Sequence, residues 1–234
     1  MFALRDAALA RARAFSKAHA VSHRTALFAY DSRASGAKRV CDRTTVTVEK
    51  RDALEVALEM RDPLVLILAD ADVPGGCVFA GAGMQEESLF RRTALFAYLK
   101  KYMYPIGSAA ALYARNVPVL MDTEANGYAP LPQPRRVSFV ACPGLKMPVL
   151  ASDGRLRAED AELLRCKIRL IVQVAVANGH TEVVLGALGC GAFGCPAAHV
   201  AALFREVLAE LDGVLERVCF AVLGAACDAF RKQF

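Results

Sequence analysis

Hydrophobic and polar positions along the chain alternate between a helical period and a strand period. Apolar residues at helical spacing, or runs of strong helix formers, predict helices over residues 4–20, 52–59, 85–101, 158–178, 197–211 and 225–232. Short alternating or continuous apolar runs predict strands over residues 44–49, 64–69, 117–121, 137–142, 181–188 and 217–223. Strands that alternate with helices imply crossover connections, so the predicted fold class is α/β, with a largely parallel or mixed sheet covered by helices on both faces.

The composition is typical of one compact folded unit. Of the 234 residues, 55% are hydrophobic and 23% are charged, which is sufficient for a sizeable core and argues against long disordered tails. We expect a single domain over residues 1–234, with residues 1–43 as an N-terminal helical extension packed on the core. The net charge of +5 has the sign that suits a polyanionic partner such as a nucleotide. Basic residues are scattered among acids without interleaved aromatics, so we expect no direct nucleic-acid binding.

The cysteines and histidines do not have the spacing of a metal site. Most of the eight cysteines stand beside apolar residues, which is typical of buried free thiols. None forms a Cys-x-x-Cys pair, and none of the four histidines lies at zinc-like spacing from a cysteine. We therefore expect neither a metal nor another cofactor.

The first 24 residues are rich in arginine and contain one acid, Asp6. This composition occurs in amphipathic transit peptides and also in ordinary first helices with a basic outer face. We interpret the segment as a first helix and keep mitochondrial targeting as the alternative. No window holds the roughly 18 apolar residues of a membrane helix, so we expect no membrane association and a soluble intracellular protein, cytoplasmic or nuclear.

Two glycine-rich loops each follow a predicted strand and precede a predicted helix. The first runs over residues 70–84, and the second over residues 189–194, before Pro196 in the first turn of the next helix. Glycines permit positive φ angles and close approach of a ligand to main-chain amides, which is how phosphates and riboses are often bound. Ligands of α/β sheets bind beyond the carboxyl ends of strands, so we expect both loops to meet at one pocket.

Two adjacent acids, Glu86 and Glu87, stand at the start of the helix after the first loop. The N-terminus of a helix favours carboxylates, so this placement is common for electrostatic reasons alone. Adjacent side chains on a helix point in different directions, so these acids cannot flank one bond as a pair. If the site is catalytic, one acid must carry most of the proton transfer.

Several motifs together resemble a known family. Residues 75–77 read Gly-Gly-Cys, and Gln-Glu-Glu follows at residues 85–87 after seven intervening residues. Further matching stretches are Ser-Leu-Phe-Arg-Arg-Thr at 88–93, Tyr-Ala-Arg-Asn-Val-Pro-Val at 113–119 and Leu-Gly-Ala-Leu-Gly-Cys-Gly-Ala-Phe-Gly at 185–194. This set resembles the microbial-type poly(ADP-ribose) glycohydrolases, whose signatures are a Gly-Gly-Gly loop, a Gln-Glu-Glu triplet and a Gly-Ala-x-Gly-Cys-Gly-x-Phe-Gly loop. The resemblance covers about residues 44–222 and implies a macrodomain-like mixed sheet between helices.

The resemblance implies a reaction and a set of site residues. The implied activity is hydrolysis of ribose–ribose O-glycosidic bonds in poly(ADP-ribose) with release of ADP-ribose, insensitive to chelators, with Glu87 as general acid/base and Glu86 orienting a ribose. The implied substrate-binding residues lie in the two loops: Gly75, Gly76, Cys77, Gln85, Gly189, Cys190, Gly191, Ala192, Phe193 and Gly194. Amides of residues 189–194 would hold the diphosphate, and Phe193 would pack on the distal ribose. The implied partner is poly(ADP-ribose) or an ADP-ribosylated protein, bound by a monomer.

The chain departs from the family pattern near the expected distal ribose. Cys77 replaces the third glycine of the first loop, Ile67 replaces an asparagine near the strand end, and Val73 stands where a polar residue is usual. Asp70 or Asp72 could take over as ribose contacts, or either could be a solvated loop acid. These departures bear on whether the site turns over its ligand.

Two alternatives stay open at this point. The first is a macrodomain that binds ADP-ribose without cutting it, and the second is a hydrolase of mono-ADP-ribosyl conjugates. Phe193 can also be a core aromatic, and we interpret Cys190 and Cys195 as small buried residues and not as nucleophiles. A dinucleotide-binding Gly-x-Gly-x-x-Gly after an early strand and a P-loop motif are both absent from the sequence.

Overall fold

The computed structural model describes residues 1–19, 25–32 and 38–234. Its helices are α1 (Phe2–Ala18), α2 (Ala53–Leu58), α3 (Gln85–Arg92), α4 (Leu95–Tyr98), α5 (Ala158–Ala177), α6 (Ala197–Glu210) and α7 (Ala226–Arg231). Its strands are β1 (Thr25–Ala29), β2 (Thr45–Glu49), β3 (Pro63–Ala69), β4 (Ala110–Met121), β5 (Pro130–Pro143), β6 (Glu182–Leu185) and β7 (Arg217–Ala221).

These strands form one mixed sheet in the order β1-β4-β5-β3-β6-β7-β2. Strands β5, β3, β6, β7 and β2 are parallel to one another. Strand β4 runs antiparallel to both of its neighbours, β1 and β5. The predicted α/β class, with a mixed sheet between helices, is confirmed.

Helices cover both faces of the sheet, because successive side chains of a strand point to opposite sides. In β3, Leu64 and Leu66 pack in a cluster with residues of α5, α6 and α7, whereas Val65 and Ile67 pack in a second cluster with residues of α2, α3 and α4. All four side chains are fully buried. A strand buried on both faces has no polar side, which explains why residues 64–69 form a continuous apolar run.

The region from residue 102 to 134 is more regular than the sequence predicts. Only residues 117–121 were expected to form a strand there, but β4 and β5 form a long antiparallel pair. Irregularities in its register lie between Ala114 and Val117 and between Val119 and Met121. Bulges of this kind allow a proline such as Pro118, which lacks an N–H, to sit inside a paired strand.

The helix predicted over residues 85–101 is two helices, α3 and α4, separated at Thr93 and Ala94. Thr93 has an extended backbone and forms an isolated β-bridge with Val119 of β4. The helix therefore does not continue through Thr93. The N–H of Ala94 donates to the carbonyl of Pro118 at 2.9 Å. Pairing with β4 therefore ends α3 directly after Arg91 and Arg92.

The N-terminal segment contributes a helix and also a strand. Helix α1 packs through Ala8 and Ala12 against Met121 and Tyr128, and Leu9 joins the cluster beneath α3 and α4. Strand β1, which lies within the segment expected to be a helical extension, pairs with β4 at the edge of the sheet. Residue 20, at the end of the predicted first helix, lies outside the described residues. In the described part of the chain, no helix combines the length and apolarity needed to cross a membrane.

Candidate active site

The two glycine-rich loops leave the same edge of the sheet. Strands β3 and β6 are parallel neighbours, and each is followed by one of the loops and then by α3 or α6. A Cβ built on Gly191 of the second loop would lie 3.1 Å from Cε of Met84 at the end of the first. The loops are therefore side by side, and the sequence-based prediction that they share one site agrees with the fold.

Glu86 is buried at the start of α3 and is fixed by the loop in front of it. Its Oε2 accepts the backbone N–H of Asp70 at 2.7 Å, and its Oε1 accepts that of Gly75 at 3.0 Å. Burial raises the pKa of Glu86 to about 8, against the opposing effect of these two donors. The neighbouring charges of Glu87 and Asp70 raise the pKa further. The Glu86 carboxyl therefore connects α3 to the turn between Asp70 and Gly75.

Glu87 is equally buried, but only one of its oxygens is used by the protein. Oε1 accepts the backbone N–H of Cys77 at 3.0 Å. Oε2 is buried and has no hydrogen-bond partner among the described residues. A carboxyl with one fixed oxygen and one unpartnered oxygen is oriented by the loop while it keeps an oxygen for a ligand.

The first two residues of the Gly-Gly-Cys segment require glycine. Gly76 has a φ of +52°, and a Cβ there would lie 2.8 Å from Oε1 of Glu87 and 3.1 Å from Oε2 of Glu86. Gly75 has a φ of +80°, and its Cβ would lie 3.0 Å from the ring of Phe90. The absence of side chains allows the backbone to pass directly over both acids.

Cys77 does not occupy a position that requires glycine. Its φ is −91°, which any residue adopts without strain, and its thiol side chain is exposed. The replacement of the family's third glycine therefore leaves the loop backbone and its bond to Glu87 in place. The replacement instead adds an exposed thiol side chain to the surface of the first loop.

Gln85 contacts strand β3 through its whole amide group. Its Oε1 accepts the N–H of Leu68 at 2.9 Å, and its Nε2 donates to the carbonyl of Leu66 at 2.7 Å. Strand β3 pairs with β6 only from Pro63 to Val65, so Gln85 satisfies backbone groups beyond that point. The residue that was expected to contact substrate thus also fastens the start of α3 to the sheet.

The second loop presents a row of unused amides. Its own turns are closed by bonds from Cys190 N–H to the carbonyl of Ala187 and from Gly194 N–H to that of Gly191. The N–H groups of Gly191, Ala192 and Phe193 donate to no protein atom in the described ranges. Three consecutive free amides just before the N-terminus of α6 form a site that favours an anion.

A third segment, after β5, supports the second loop and was not predicted from the sequence. A Cβ on Gly144 would lie 2.8 Å from both the Cα and the N of Gly189. The N–H of Met147 donates to the carbonyl of Phe193 at 2.8 Å, and Nζ of Lys146 lies 5.9 Å from the centre of the Phe193 ring. Phe193 is half-buried at this junction, outside the main core clusters.

Two further side chains lie near the acids. The Tyr104 hydroxyl is buried without a hydrogen-bond partner in the described part of the chain. Its pKa is raised by burial and, to a smaller extent, by the negative charges of Glu86 and Asp70. Oδ1 of Asp70 accepts the N–H groups of Asp72 and Val73, so Asp70 organises the turn before the glycines. Tyr104 was not predicted from the sequence, because it lies in the region of residues 102–134, where the sequence pattern predicts little regular structure.

Two arginines hold the far end of the first loop. Nη1 of Arg5, from α1, donates to the carbonyl of Gly81 at 2.7 Å, and its Nε and Nη2 donate to Glu124 at 2.8 and 2.9 Å. Arg91, fully buried on α3, donates to the carbonyl of Ala82. Successive carbonyls of the loop are thus bound from two different helices.

The departures from the family pattern fall in different environments. Ile67 is fully buried in the cluster beneath α3, so it does not face the loop surface. Val73 is about half exposed, and Asp72 is exposed beside it. The family's polar groups at these two positions are therefore replaced by one core residue and one surface residue.

All eight cysteines are free, as predicted, but only four of them are buried; Cys41, Cys166 and Cys190 are half-buried and Cys77 is exposed. Burial raises the pKa of Cys190 to about 12 and that of Cys195 to about 11. Cys195 is buried, as expected, whereas Cys190 is half-buried; a raised pKa disfavours the reactive thiolate of both at neutral pH. Among the described residues there is no group of three or more His, Cys, Asp or Glu that could hold a metal ion.

A comparison with protein families matches about half of the chain. Residues 5–122 match the microbial-type PARG catalytic domain, where PARG is poly(ADP-ribose) glycohydrolase. The chain belongs to this family. The match contains the first loop, both acids and Arg5, and it confirms the resemblance drawn from the sequence motifs. The second loop lies beyond residue 122, so its assignment to the PARG fold depends on structural similarity.

Solved PARG structures resemble this chain over almost its whole length. The enzyme from Thermomonospora curvata is 25% identical, with coverage of 98% of this chain and 99% of that chain and a TM-score of 0.81. The Deinococcus radiodurans enzyme in complex with ADP-ribose is 28% identical, with 96% coverage of both chains and a TM-score of 0.76. A comparison with curated proteins gave no match.

Proposed function

We propose that this chain is a poly(ADP-ribose) glycohydrolase that uses Glu87 as its general acid and base. The observation that carries the proposal is the state of the Glu87 carboxyl, which is buried, fixed at Oε1 by the amide of Cys77, and free of protein partners at Oε2 in the described residues. Membership of the PARG family supports the reaction class. The D. radiodurans relative, crystallised with ADP-ribose, supports the ligand.

The two loops suit the two ends of an ADP-ribose unit. The free amides of Gly191, Ala192 and Phe193 would bind the diphosphate. The distal ribose would then lie against Phe193 and the turn over the acids, with Glu86 orienting a hydroxyl. Gln85 would act by holding α3 on β3, because its amide already bonds to two backbone groups there.

In the proposed reaction, Glu87 transfers a proton to the oxygen of the leaving ribose as the bond between that oxygen and the anomeric carbon breaks. The ribose passes through an oxocarbenium-like state. Water attacks the anomeric carbon and gives its proton to the Glu87 carboxylate, which restores the acid. The products are free ADP-ribose and a polymer with a new terminal hydroxyl.

The test is release of ADP-ribose from poly(ADP-ribose) by the purified protein, compared with Glu87→Gln. The variant should lose at least about 10²-fold in rate while calorimetry shows unchanged affinity for ADP-ribose. Glu59→Gln, at an exposed carboxylate paired with Arg51, is the matched control and should retain full activity. Equal activity of Glu87→Gln and wild type would overturn the assignment of Glu87.

A second function, hydrolysis of mono-ADP-ribosyl conjugates, is favoured by one observation. The surface before the acids carries Val73 and the Cys77 side chain in place of the family's usual residues, so the leaving group meets a different surface. A panel of polymer, mono-ADP-ribosylated protein and small ADP-ribosyl conjugates separates the two. Binding of ADP-ribose without turnover of any of them would instead indicate an ADP-ribose-binding macrodomain.

The proposal includes a monomeric single domain over residues 1–234 that does not bind nucleic acid. The extensive packing of α1 on Met121 and Tyr128 supports its inclusion in that domain. Light scattering of the purified protein, alone and with single-stranded DNA, tests both parts.

A further inference from the structure

A basic cleft lies between α1 and the end of α4. Its volume is about 390 Å³. It is lined by Arg13, Ala14, Ser16, Lys17, Phe96 and Lys100. Three of these residues are cationic and none is acidic, so the cleft is a local concentration of positive charge in a chain whose net charge is only +5.

The cleft adjoins the loop that covers the catalytic acids. Cζ of Arg13 lies 5.2 Å from the centre of the Phe79 ring, and the rings of Phe79 and Phe96 are 5.9 Å apart. Phe79 lies in the 3₁₀ turn Val78–Ala80, directly after Cys77, whose N–H binds Glu87. Phe79, which contacts the lining residues Arg13 and Phe96, is thus two residues along the chain from a backbone contact of the proposed catalytic carboxyl.

Of the three cations, Lys100 donates from Nζ to the carbonyl of Phe96 at 2.8 Å, whereas the other two are available to a ligand. Arg13 and Lys17 are exposed, and within residues 1–19, 25–32 and 38–234 neither has a carboxylate within 4.0 Å. The hydroxyl of Ser16 is buried in the wall and has no hydrogen-bond partner in those ranges. Phe79 is 60% exposed, so part of its surface is accessible to a ligand.

We propose that this cleft binds the next ADP-ribose unit of the polymer, the one that leaves when the terminal unit is cut. This inference rests on the proposed function. The leaving unit carries a diphosphate, which suits Arg13 and Lys17, and an adenine, which suits stacking on Phe79. Because the cleft starts at the loop over Glu87, a polymer can place its terminal unit on the two loops and the adjoining unit in the cleft.

The test compares polymer with the single unit in the double variant Arg13→Ala/Lys17→Ala. The KM for ADP-ribose release from poly(ADP-ribose) should rise about tenfold, with weaker salt dependence than wild type, because phosphate contacts are lost. The calorimetric affinity for ADP-ribose should stay within twofold, since the terminal unit does not enter the cleft. Arg11→Ala removes one positive charge from an exposed position on the same helix outside the cleft and should leave both values unchanged, as Arg13→Ala or Lys17→Ala alone should not.

Phe79→Ala and Phe79→Tyr add a test of stacking. Phe79→Ala should raise the KM for polymer, whereas Phe79→Tyr, which keeps an aromatic ring, should have the wild-type KM. Neither variant should change the affinity for ADP-ribose. An unchanged polymer KM in the double variant, or an equal loss of affinity for ADP-ribose itself, would overturn the proposal. Competition by single-stranded DNA as strong as that by polymer would also overturn it, by assigning the cleft to nucleic acid.

The proposed function can fail separately. If wild type releases no ADP-ribose from the polymer, binding of short ADP-ribose chains is measured directly and compared with binding of ADP-ribose. Tighter binding of the chains that disappears in Arg13→Ala/Lys17→Ala supports the cleft even then. Equal binding of chains and single units by wild type overturns it.

Discussion

The backbone N–H of Cys77 donates to Oε1 of Glu87 at 3.0 Å, so the third residue of the Gly-Gly-Cys segment contacts the proposed catalytic carboxyl through its main chain. The side chain at this position is exposed. Its neighbour Gly76 is in the opposite situation, because a Cβ there would lie 2.8 Å from the same oxygen. Adjacent positions of the Gly-Gly-Cys segment therefore differ in whether they tolerate a side chain.

The first prediction is that Gly76→Ala abolishes activity and Cys77→Ala does not. A methyl group at Gly76 meets both carboxyls at a φ of +52°, so the loop must move off Glu87, and ADP-ribose release should fall at least about 10²-fold. Cys77→Ala keeps a φ of −91° and the N–H bond, so its rate should stay within about threefold.

Gly179→Ala is the control for backbone strain alone. Gly179 has a φ of +80° at the end of α5, with no atom within 4 Å of a built Cβ. This variant should lose about 1 kcal/mol of unfolding free energy and keep full activity. If Gly76→Ala behaves like Gly179→Ala, the contact between the loop and the acids does not control catalysis.

The second prediction concerns Arg5, which joins α1 to the loop carbonyl of Gly81 and to Glu124. Arg5→Met should lower kcat about tenfold with little change in KM, because the loop over Glu87 loses an anchor while the binding amides stay in place. Arg5→Lys keeps the charge but not the paired bonds to Glu124, so it should restore activity only in part. Arg11→Met, exposed on the same helix, is the control.

A double-mutant cycle separates this role from general stability. Arg5→Met and Glu124→Gln break the same ion pair, so their combined effect on kcat should be clearly smaller than the product of the two single effects. Strictly multiplicative effects on kcat would show that the pair does not act as a unit.

Much of the sheet could be predicted from local patterns, and the exceptions have physical causes. The buried strand β3 and the helix α5 are long enough and uniform enough to be recognised from their apolar spacing. Strand β1 is a short edge strand with Leu27 65% exposed, so it lacks a clear buried face. Strands β4 and β5 contain prolines, which normally argue against pairing, and their bulges are set by tertiary contacts that no local pattern encodes.

The candidate site also has a part that could be predicted from the sequence and a part that could not. Glycines and adjacent acids are visible in the sequence because their chemistry depends on residue type and close spacing, as at Gly76 and Glu87. Arg5 is 76 residues from the carbonyl it binds, and Gly144 meets Gly189 only through the pairing of strands. Contacts between distant segments follow from the fold, so one sequence without its structure could not supply them.

The third prediction is a pH dependence of stability due to Glu86. Its pKa in the folded chain is raised by burial to about 8, whereas an unfolded glutamate titrates near ~4.3. Between these values the folded state binds more protons than the unfolded state, so this group lowers the unfolding free energy as pH rises. Urea unfolding at pH 5, 6, 7 and 8 should show Glu86→Gln becoming steadily more stable relative to wild type.

Glu59→Gln is the matched control for that series. A hydrogen bond from Arg51 lowers the pKa of Glu59, so this carboxylate stays ionised in both states across the same pH window. Its effect on the unfolding free energy should be constant from pH 5 to pH 8. A constant difference between Glu86→Gln and wild type would contradict the raised pKa of Glu86.

The fourth prediction is that Gly144→Ala weakens ADP-ribose binding without changing the first glycine-rich loop. A Cβ at Gly144 would lie 2.8 Å from the backbone of Gly189, and backbone cannot rotate away as a side chain does, so the second loop must shift. The free amides of residues 191–193 would shift with the loop, and the affinity for ADP-ribose in calorimetry should fall at least about tenfold.

Gly107→Ala is the control for Gly144→Ala, because a Cβ at Gly107 makes only an ordinary 3.6 Å contact with Ala110. Thermal unfolding of both variants shows whether Gly144→Ala is folded, and the affinity is compared only if it is. A folded Gly144→Ala with wild-type affinity would mean that the amides of the second loop do not determine how tightly the diphosphate is held. Gly144→Ala can also be combined with Glu87→Gln. If Gly144→Ala binds ADP-ribose more weakly but its rate of ADP-ribose release still falls when Glu87→Gln is added, the second loop serves binding and the first serves proton transfer.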